Sequence, residues 1–168
     1  MMGRSITKRL LETLREEIAL ASSLDIIISF VRFSGVILLL DDLKKAIARG
    51  TKIRLLTATY LGITEPYALT VLKNELTSSL DMRFFNDKTK SFHPKAFFFD
   101  DKMILGSSNL SESALTDGIE WNYMIVEDLD SIRTFHNEFE MLFSSAIPCN
   151  EKTIANYAKS RRPYRTIE

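Results

Sequence analysis

Short β-branched and aromatic segments alternate with helical segments through the first half of the chain. Asp25–Phe33, Lys52–Ala58 and Asp81–Phe85 have the residue types of strands. Val36–Ala48 and Tyr67–Leu76, which lie between these strands, are predicted helices. A strand, a helix and a second parallel strand connect with right-handed geometry. The alternation therefore predicts that the sheet begins with parallel strands.

The second half of the chain changes this pattern. Phe92–Asp100 and Lys102–Leu105 are two adjacent strand-like segments, and a turn at the intervening aspartates makes them an antiparallel hairpin. A strand over Trp121–Val126 and a helix over Leu129–Phe143 follow, while Thr7–Ala21 has the apolar stripe of a further helix. These segments predict an α/β fold with a mixed, mostly parallel sheet and helices on both faces.

Length and composition predict one domain that spans residues 1–168. The formal net charge is zero, so any binding of a polyanion must come from local basic patches. The apolar runs are too short to cross a bilayer, which predicts a soluble protein without a membrane partner. A single cysteine, Cys149, excludes an internal disulfide and favours the cytoplasm.

The hairpin carries the residues that best indicate a function. His93 and Lys95 are two positions apart on an extended segment, so their side chains point to the same side. The second strand returns Gly106, Ser107 and Asn109 to the open end of the hairpin. A proton carrier or nucleophile, a cation and several neutral donors around one point suit a phosphate ester. Few soft or imidazole ligands are present, so neither a metal nor another cofactor is predicted.

This pattern resembles the phospholipase D superfamily signature, H-x-K-(x)4-D followed by G-[GS]-x-N. His93, Lys95, Asp100 and the segment 106–109 carry the resemblance, and Glu120 stands where the family has a glutamate. Segments 29–35, 55–60 and 64–66 also resemble the amino-terminal phospholipase-D-like domains of bacterial DEAD/DEAH-box helicases. This second likeness implies a helicase motor as a partner in the same polypeptide, although the chain itself lacks a nucleotide-binding phosphate loop. By this resemblance, the basic tail 159–168 is expected to be a linker to a missing helicase region or the end of a natural short form.

The resemblance implies a metal-independent nuclease that forms a phosphohistidine. His93 would attack phosphorus, Glu120 would hold its ring, and Lys95, Ser107 and Asn109 would bind the non-bridging oxygens. A second histidine must protonate the leaving oxygen. Because the chain has one motif and His136 lies in a helical segment, a two-fold homodimer that joins two His93 side chains is predicted.

Other residues receive more modest predictions. Asp100 lies seven positions beyond His93, about 20 Å along a strand, so a structural role is expected. Arg32, Thr59 and Tyr60 sit near strand ends, where open α/β sheets bind ligands, and are candidate substrate contacts. Trp121 is expected in the core.

Nucleic acid, with DNA favoured, is the predicted partner. A catalytically weak DNA-binding and dimerisation module of a helicase is the alternative. A phospholipid hydrolase or transferase is disfavoured, because no basic amphipathic helix is evident.

Overall fold

The computed structural model describes residues 3–162, and within that range one mixed sheet organises the fold. The eight strands of the described range are β1 Gly3–Ile6, β2 Ser23–Ile28, β3 Lys52–Ala58, β4 Leu80–Phe85, β5 Lys95–Phe99, β6 Lys102–Gly106, β7 Asn122–Val126 and β8 Ile147–Pro148. The helices are α1 Leu10–Leu20, α2 Phe33–Ala48, α3 Pro66–Leu76, α4 Glu112–Leu115, α5 Leu129–Ser144 and α6 Glu151–Ser160. Residues 163–168 of the predicted linker lie outside the described part.

The sheet has the order β1-β7-β6-β5-β2-β3-β4-β8. The mixed α/β architecture is confirmed, but the prediction of a mostly parallel sheet is wrong. Only β2–β3 and β3–β4 pair in parallel, whereas the other five pairings between described strands are antiparallel. The reason is that β5, β6 and β7 follow each other without a crossover helix, and the short β1 and β8 add to the two sheet edges.

Two apolar layers cover the sheet. On one face, β2 and β3 contribute Leu24, Ile26 and Leu55 to a core with α1, α2, α3 and α6. On the other face, Ile27 and Leu56 pack with the apolar side of α5. Alternate residues of β2 and β3 therefore enter different cores, which explains why these strands are apolar almost throughout.

Local chemistry accounts for most element ends. Gly50 follows α2 with a φ of 96°, a left-handed conformation that glycine adopts without a Cβ clash. Thr64, which lies two residues before α3, buries its hydroxyl against Ser29 O and Val31 N. Glu65 occupies the cap position, and its carboxylate accepts a hydrogen bond from Phe33 N at the start of α2. Thr64 and Glu65 thus join α3 to the end of β2.

Candidate active site

His93 and Lys95 meet at the end of the central strands, as their spacing predicts. His93 is exposed and extended just before β5, which begins at Lys95. Lys95 Nζ lies 2.9 Å from His93 Nδ1 and donates a hydrogen bond of 2.8 Å to the His93 carbonyl oxygen. A cation is thereby held against the imidazole by neighbouring residues of one extended segment.

Ser29 holds this pair in place from the end of β2. Its side chain is fully buried; Oγ donates to Pro94 O at 3.0 Å and lies 3.4 Å from Lys95 Nζ. Burial lowers the pKa of Lys95 from its ordinary value, although the negative charge of Glu120 opposes this effect. Ser29 was not predicted as a site residue. Its sequence signal is a small polar residue that directly follows a continuous apolar strand.

Hydrogen bonds join the turn after β6 to the residues that follow β2. Arg32 N donates to Leu110 O at 2.9 Å, and Leu110 N donates to Phe30 O at 3.1 Å. Asn109 Oδ1 accepts a hydrogen bond from Phe30 N at 3.2 Å. Because the amide oxygen faces this backbone N–H, the Asn109 Nδ2 group keeps its two donors for another acceptor.

Ser107 and Glu120 form a second polar pair beside the turn. Ser107 Oγ donates a hydrogen bond to Glu120 Oε2 and accepts one of 2.9 Å from Trp121 N. Gly106 makes the turn possible, since a Cβ at this position would lie 2.3 Å from Trp121 O. No hydrogen bond between Glu120 and His93 occurs within residues 3–162. The single chain therefore brings Ser107 and Glu120 together, but it does not make the predicted contact between Glu120 and the histidine ring.

The Lys95 contact also determines the resting tautomer of His93. A charged ammonium group has no acceptor, so Nδ1 must accept the hydrogen bond while Lys95 is protonated. The neutral imidazole then carries its proton on Nε2. Nucleophilic attack by Nε2 requires the opposite tautomer, with Nδ1–H donated to a carboxylate or another acceptor. A histidine nucleophile here therefore requires a carboxylate or another acceptor beside Nδ1, in place of the Lys95 ammonium group.

The three predicted substrate contacts lie at the same edge of the sheet. The Tyr60 ring approaches the His93 ring edge-on, with 6.5 Å between the ring centroids. Thr59 follows β3 and lines a cavity together with Tyr60. Arg32 precedes α2, and its Nε lies 3.4 Å from Glu65 Oε1. Tyr60 and Thr59 border the histidine side of this edge, whereas the Arg32 charge is paired with Glu65.

Asp100 lies at the opposite end of the hairpin. Its carboxylate accepts hydrogen bonds from the amides of Ser22 and Ser23, both 3.0 Å long, and a third from the Ser23 hydroxyl. Burial alone would raise the pKa of Asp100, but these hydrogen bonds outweigh it and hold the pKa below its ordinary value. Asp100 therefore ties the hairpin to the start of β2.

Replacing Asp100 with asparagine should lower the free energy of unfolding by about 1 kcal/mol at neutral pH, without a large loss of turnover. The depressed folded-state pKa means that this contribution is present above the unfolded pKa of about 4 and is lost as pH falls through the folded-state value. Urea unfolding of wild type and Asp100→Asn should therefore converge in acid. A well-folded variant with strongly reduced turnover would contradict the structural role.

His136 belongs to a separate ionic cluster. Its Nε2 lies 2.7 Å from Asp25 Oδ2, and ligand atoms of Asp25, His136 and Glu140 lie within 4.8 Å of one another. This spacing would suit a metal ion. However, the Arg54 guanidinium forms hydrogen bonds to both carboxylates, which raise the pKa of Arg54 and lower that of Glu140. Both carboxylates already accept hydrogen bonds from Arg54, so the cluster attaches α5 to β2 and β3.

An apolar surface adjoins the histidine site. A cavity of about 320 Å³ is lined by His93 and Lys95 at one end and by Leu105 and Phe135 elsewhere. Tyr123 pairs with Leu105 across β6 and β7 and extends this surface. Trp121, which was expected in the core, has 75% of its surface exposed beside Ser107. The interpretation of Trp121 is corrected: this residue lies just before β7, the strand next to the sheet edge formed by β1, and is exposed rather than in the core.

The mixed sheet thus carries a histidine–lysine pair at one edge. The family model described as the cardiolipin synthase phospholipase D-like domain matches residues 14–143. The chain therefore belongs to the phospholipase D-like family, whose members include phosphodiesterase-type enzymes. A search of curated proteins gave no match.

Similar solved structures agree with this fold. Nuc from Salmonella typhimurium, a phospholipase D family member, superposes with a TM-score of 0.71 at 16% identity, covering 89% of this chain and 99% of Nuc. NucT from Helicobacter pylori gives 0.69 at 16% identity, covering 88% and 98% of the two chains. The archaeal chromatin protein TrmBL2, whose structure is described as showing a novel mode of DNA binding, gives 0.62 at 20% identity, covering 89% and 55%.

Proposed function

We propose that the chain is a metal-independent phosphodiesterase that cleaves nucleic acid, with DNA favoured, through a phosphohistidine intermediate. The contact between Lys95 Nζ and the His93 imidazole, supported by buried Ser29, is the observation that carries this proposal. Lysine neutralises phosphate charge while histidine supplies a nucleophile near neutral pH. No helix within residues 3–162 has the length and apolar character needed to cross a bilayer.

In the proposed reaction, Nε2 of His93 attacks phosphorus and the bond from phosphorus to the leaving oxygen breaks. A second imidazole donates its proton to that oxygen, while Lys95, Ser107 and Asn109 bind the non-bridging oxygens. Water then attacks the phosphohistidine, the second imidazole accepts a proton from it, and His93 is released. Glu120 accepts a hydrogen bond from Nδ1–H of a histidine nucleophile and stabilises the positive charge that develops on its ring.

The second imidazole comes from another copy of the chain. His136 cannot supply it, because its ring is bonded to Asp25 in the cluster at α5. The apolar surface of Leu105, Tyr123 and Phe135 reaches the His93 cavity, and Tyr123 and Phe135 are each 45% exposed. Contiguous exposed apolar residues are typical of an association surface. A two-fold dimer on this surface would bring the two His93 side chains toward one phosphate.

Hydrolysis of bis-p-nitrophenyl phosphate should survive excess EDTA, because histidine and lysine perform the chemistry without a metal. Vanadate or tungstate should inhibit, since either ion can mimic five-coordinate phosphorus. Release of p-nitrophenol with and without chelator measures the effect. Complete loss of turnover in EDTA that magnesium restores would refute the mechanism, and the same assay on His93→Ala controls for a contaminating enzyme.

A catalytically weak DNA-binding module is the second candidate, and one comparison favours it. TrmBL2, a chromatin protein by its description, has this fold across much of the present chain. The site residues would then hold a backbone phosphate without turnover. DNA binding that persists in a protein unable to cleave any nucleic acid would identify this function. In this second function the domain would serve a helicase motor in the same polypeptide, and that motor remains a prediction.

A further inference from the structure

Charge is divided unevenly along the edge of the sheet that carries His93. The segment 107–121, which joins β6 to β7, contains Glu112, Asp117 and Glu120 but neither lysine nor arginine. The loop 86–94, which joins β4 to β5, contains Lys88 and Lys90 and one acidic residue, Asp87. The edge is therefore more basic on the side toward β4 and acidic on the side toward β7, although the whole chain has no net charge.

Sheet topology places the basic loop directly over the catalytic edge. β4 and β5 are separated in the sheet by β3 and β2, so the loop must cross the ends of both strands, a span of about 14 Å. Asp87 forms a turn within the loop by accepting hydrogen bonds from Thr89 N and Thr89 Oγ1, and these bonds lower the pKa of Asp87. Lys88 is exposed, and within residues 3–162 it has no ion pair, whereas Lys90 Nζ lies 3.6 Å from Asp87 Oδ2.

A groove begins beside the catalytic ring and follows this loop. One cavity of about 190 Å³ is lined by Tyr60, Lys88 and Lys90, and an adjoining cavity of about 220 Å³ by Asn86 and Asn156. Both cavities share Thr59, Phe85 and Lys88, and together they are termed the basic groove. Its inner wall is Tyr60, whose ring neighbours that of His93. The basic groove therefore leads away from the candidate phosphate site.

Arg161 adds a further positive charge near the inner end of the groove. Its Nε donates a hydrogen bond of 2.8 Å to Gly62 O, in the turn that also holds Tyr60. The side chains at the outer end include the amides of Asn86 and Asn156 and the hydroxyl of Ser160. Ammonium, guanidinium, amide and hydroxyl donors are the groups that contact phosphates and sugars along a nucleic acid backbone.

We infer that the basic groove binds the backbone phosphates of a polynucleotide on one side of the scissile phosphate, with Lys88 and Lys90 as its cationic contacts. This inference rests on the proposed nuclease function and gives the direction in which the substrate leaves the site. The loop from Asn86 to Ser91 has no large apolar side chain that could enter a bilayer. A polynucleotide is therefore favoured over an anionic lipid surface.

The test is the double substitution Lys88→Gln and Lys90→Gln in the full chain. Binding of a labelled single-stranded oligonucleotide should weaken roughly tenfold at moderate salt, and the magnitude of the slope of log affinity against log salt should fall by about 1.4. Turnover of bis-p-nitrophenyl phosphate should not change, because this small diester fills the phosphate site without reaching the groove. A structural defect would instead reduce both activities.

The matched control is Lys45→Gln with Lys52→Gln, which removes the same charge from exposed residues at the far edge. If the two double variants bound the oligonucleotide with equal affinity, the groove assignment would be overturned and the nuclease proposal would be unaffected. A wild-type protein that neither binds oligonucleotide nor cleaves any diester would refute the nuclease proposal itself. Binding to phosphatidylglycerol vesicles in place of oligonucleotide would overturn the choice of polynucleotide.

Discussion

Mixing His93→Ala subunits into wild-type protein should suppress activity more steeply than simple dilution. If each site needs one His93 from each subunit, only wild-type homodimers are active. After random exchange of equal amounts, about a quarter of the dimers would be wild-type homodimers, compared with half of the subunits. Activity per total protein should therefore follow the square of the wild-type fraction. Diester hydrolysis, measured after subunit exchange at several mixing ratios, gives the curve.

A second variant separates dimer formation from chemistry. Tyr123→Asp places a charge on the exposed apolar surface beside the cavity and leaves the residues of the phosphate site unchanged. It should yield a folded monomer, as judged by sedimentation and circular dichroism, with almost no turnover. Activity proportional to the wild-type fraction in the mixing series, or a fully active monomer, would refute the shared site.

Glu120→Gln should reduce turnover by roughly 10² to 10⁴ while the fold is retained. Lys95 occupies the Nδ1 side of His93 in the single chain, so the reactive tautomer depends on a carboxylate that can accept a hydrogen bond from Nδ1–H. Glutamine can still accept the Ser107 hydrogen bond, but it cannot stabilise a positively charged imidazole. The rate of diester hydrolysis by wild type and variant measures this loss, and equal melting temperatures of the two proteins show that the fold is retained.

Glu112→Gln is the matched control for Glu120→Gln. Both residues are acidic and both belong to the segment between β6 and β7, but no hydrogen bond links the Glu112 side chain to the phosphate site within the described residues. Turnover close to that of wild type is expected for Glu112→Gln. If Glu120→Gln behaved in the same way, Glu120 would lie outside the reacting groups.

Local sequence patterns predicted the elements that depend on near neighbours. β3 has the predicted bounds Lys52–Ala58, and α5 extends only one residue beyond its predicted end at Phe143. Continuous apolar residues or a strong 3.6-residue period identify such segments. β1 and β8 were not predicted, because Gly3–Ile6 is largely polar and Ile147–Pro148 is very short. Both lie at sheet edges and are defined by pairing with distant strands.

The juxtaposition of His93 and Lys95 follows from the alternation of side chains along an extended segment, so two positions in the sequence were sufficient to predict it. The supports of that pair could not be found in the same way. Ser29 is 66 positions from Lys95, and Asn109 is 79 positions from Phe30, whose backbone amide orients it. Trp121 has the composition of a core residue but is exposed, since burial depends on which helix covers a strand. Short-range steric and periodic constraints act within a segment, whereas hydrogen-bond partners, burial and the route of the basic groove arise only when distant segments pack together.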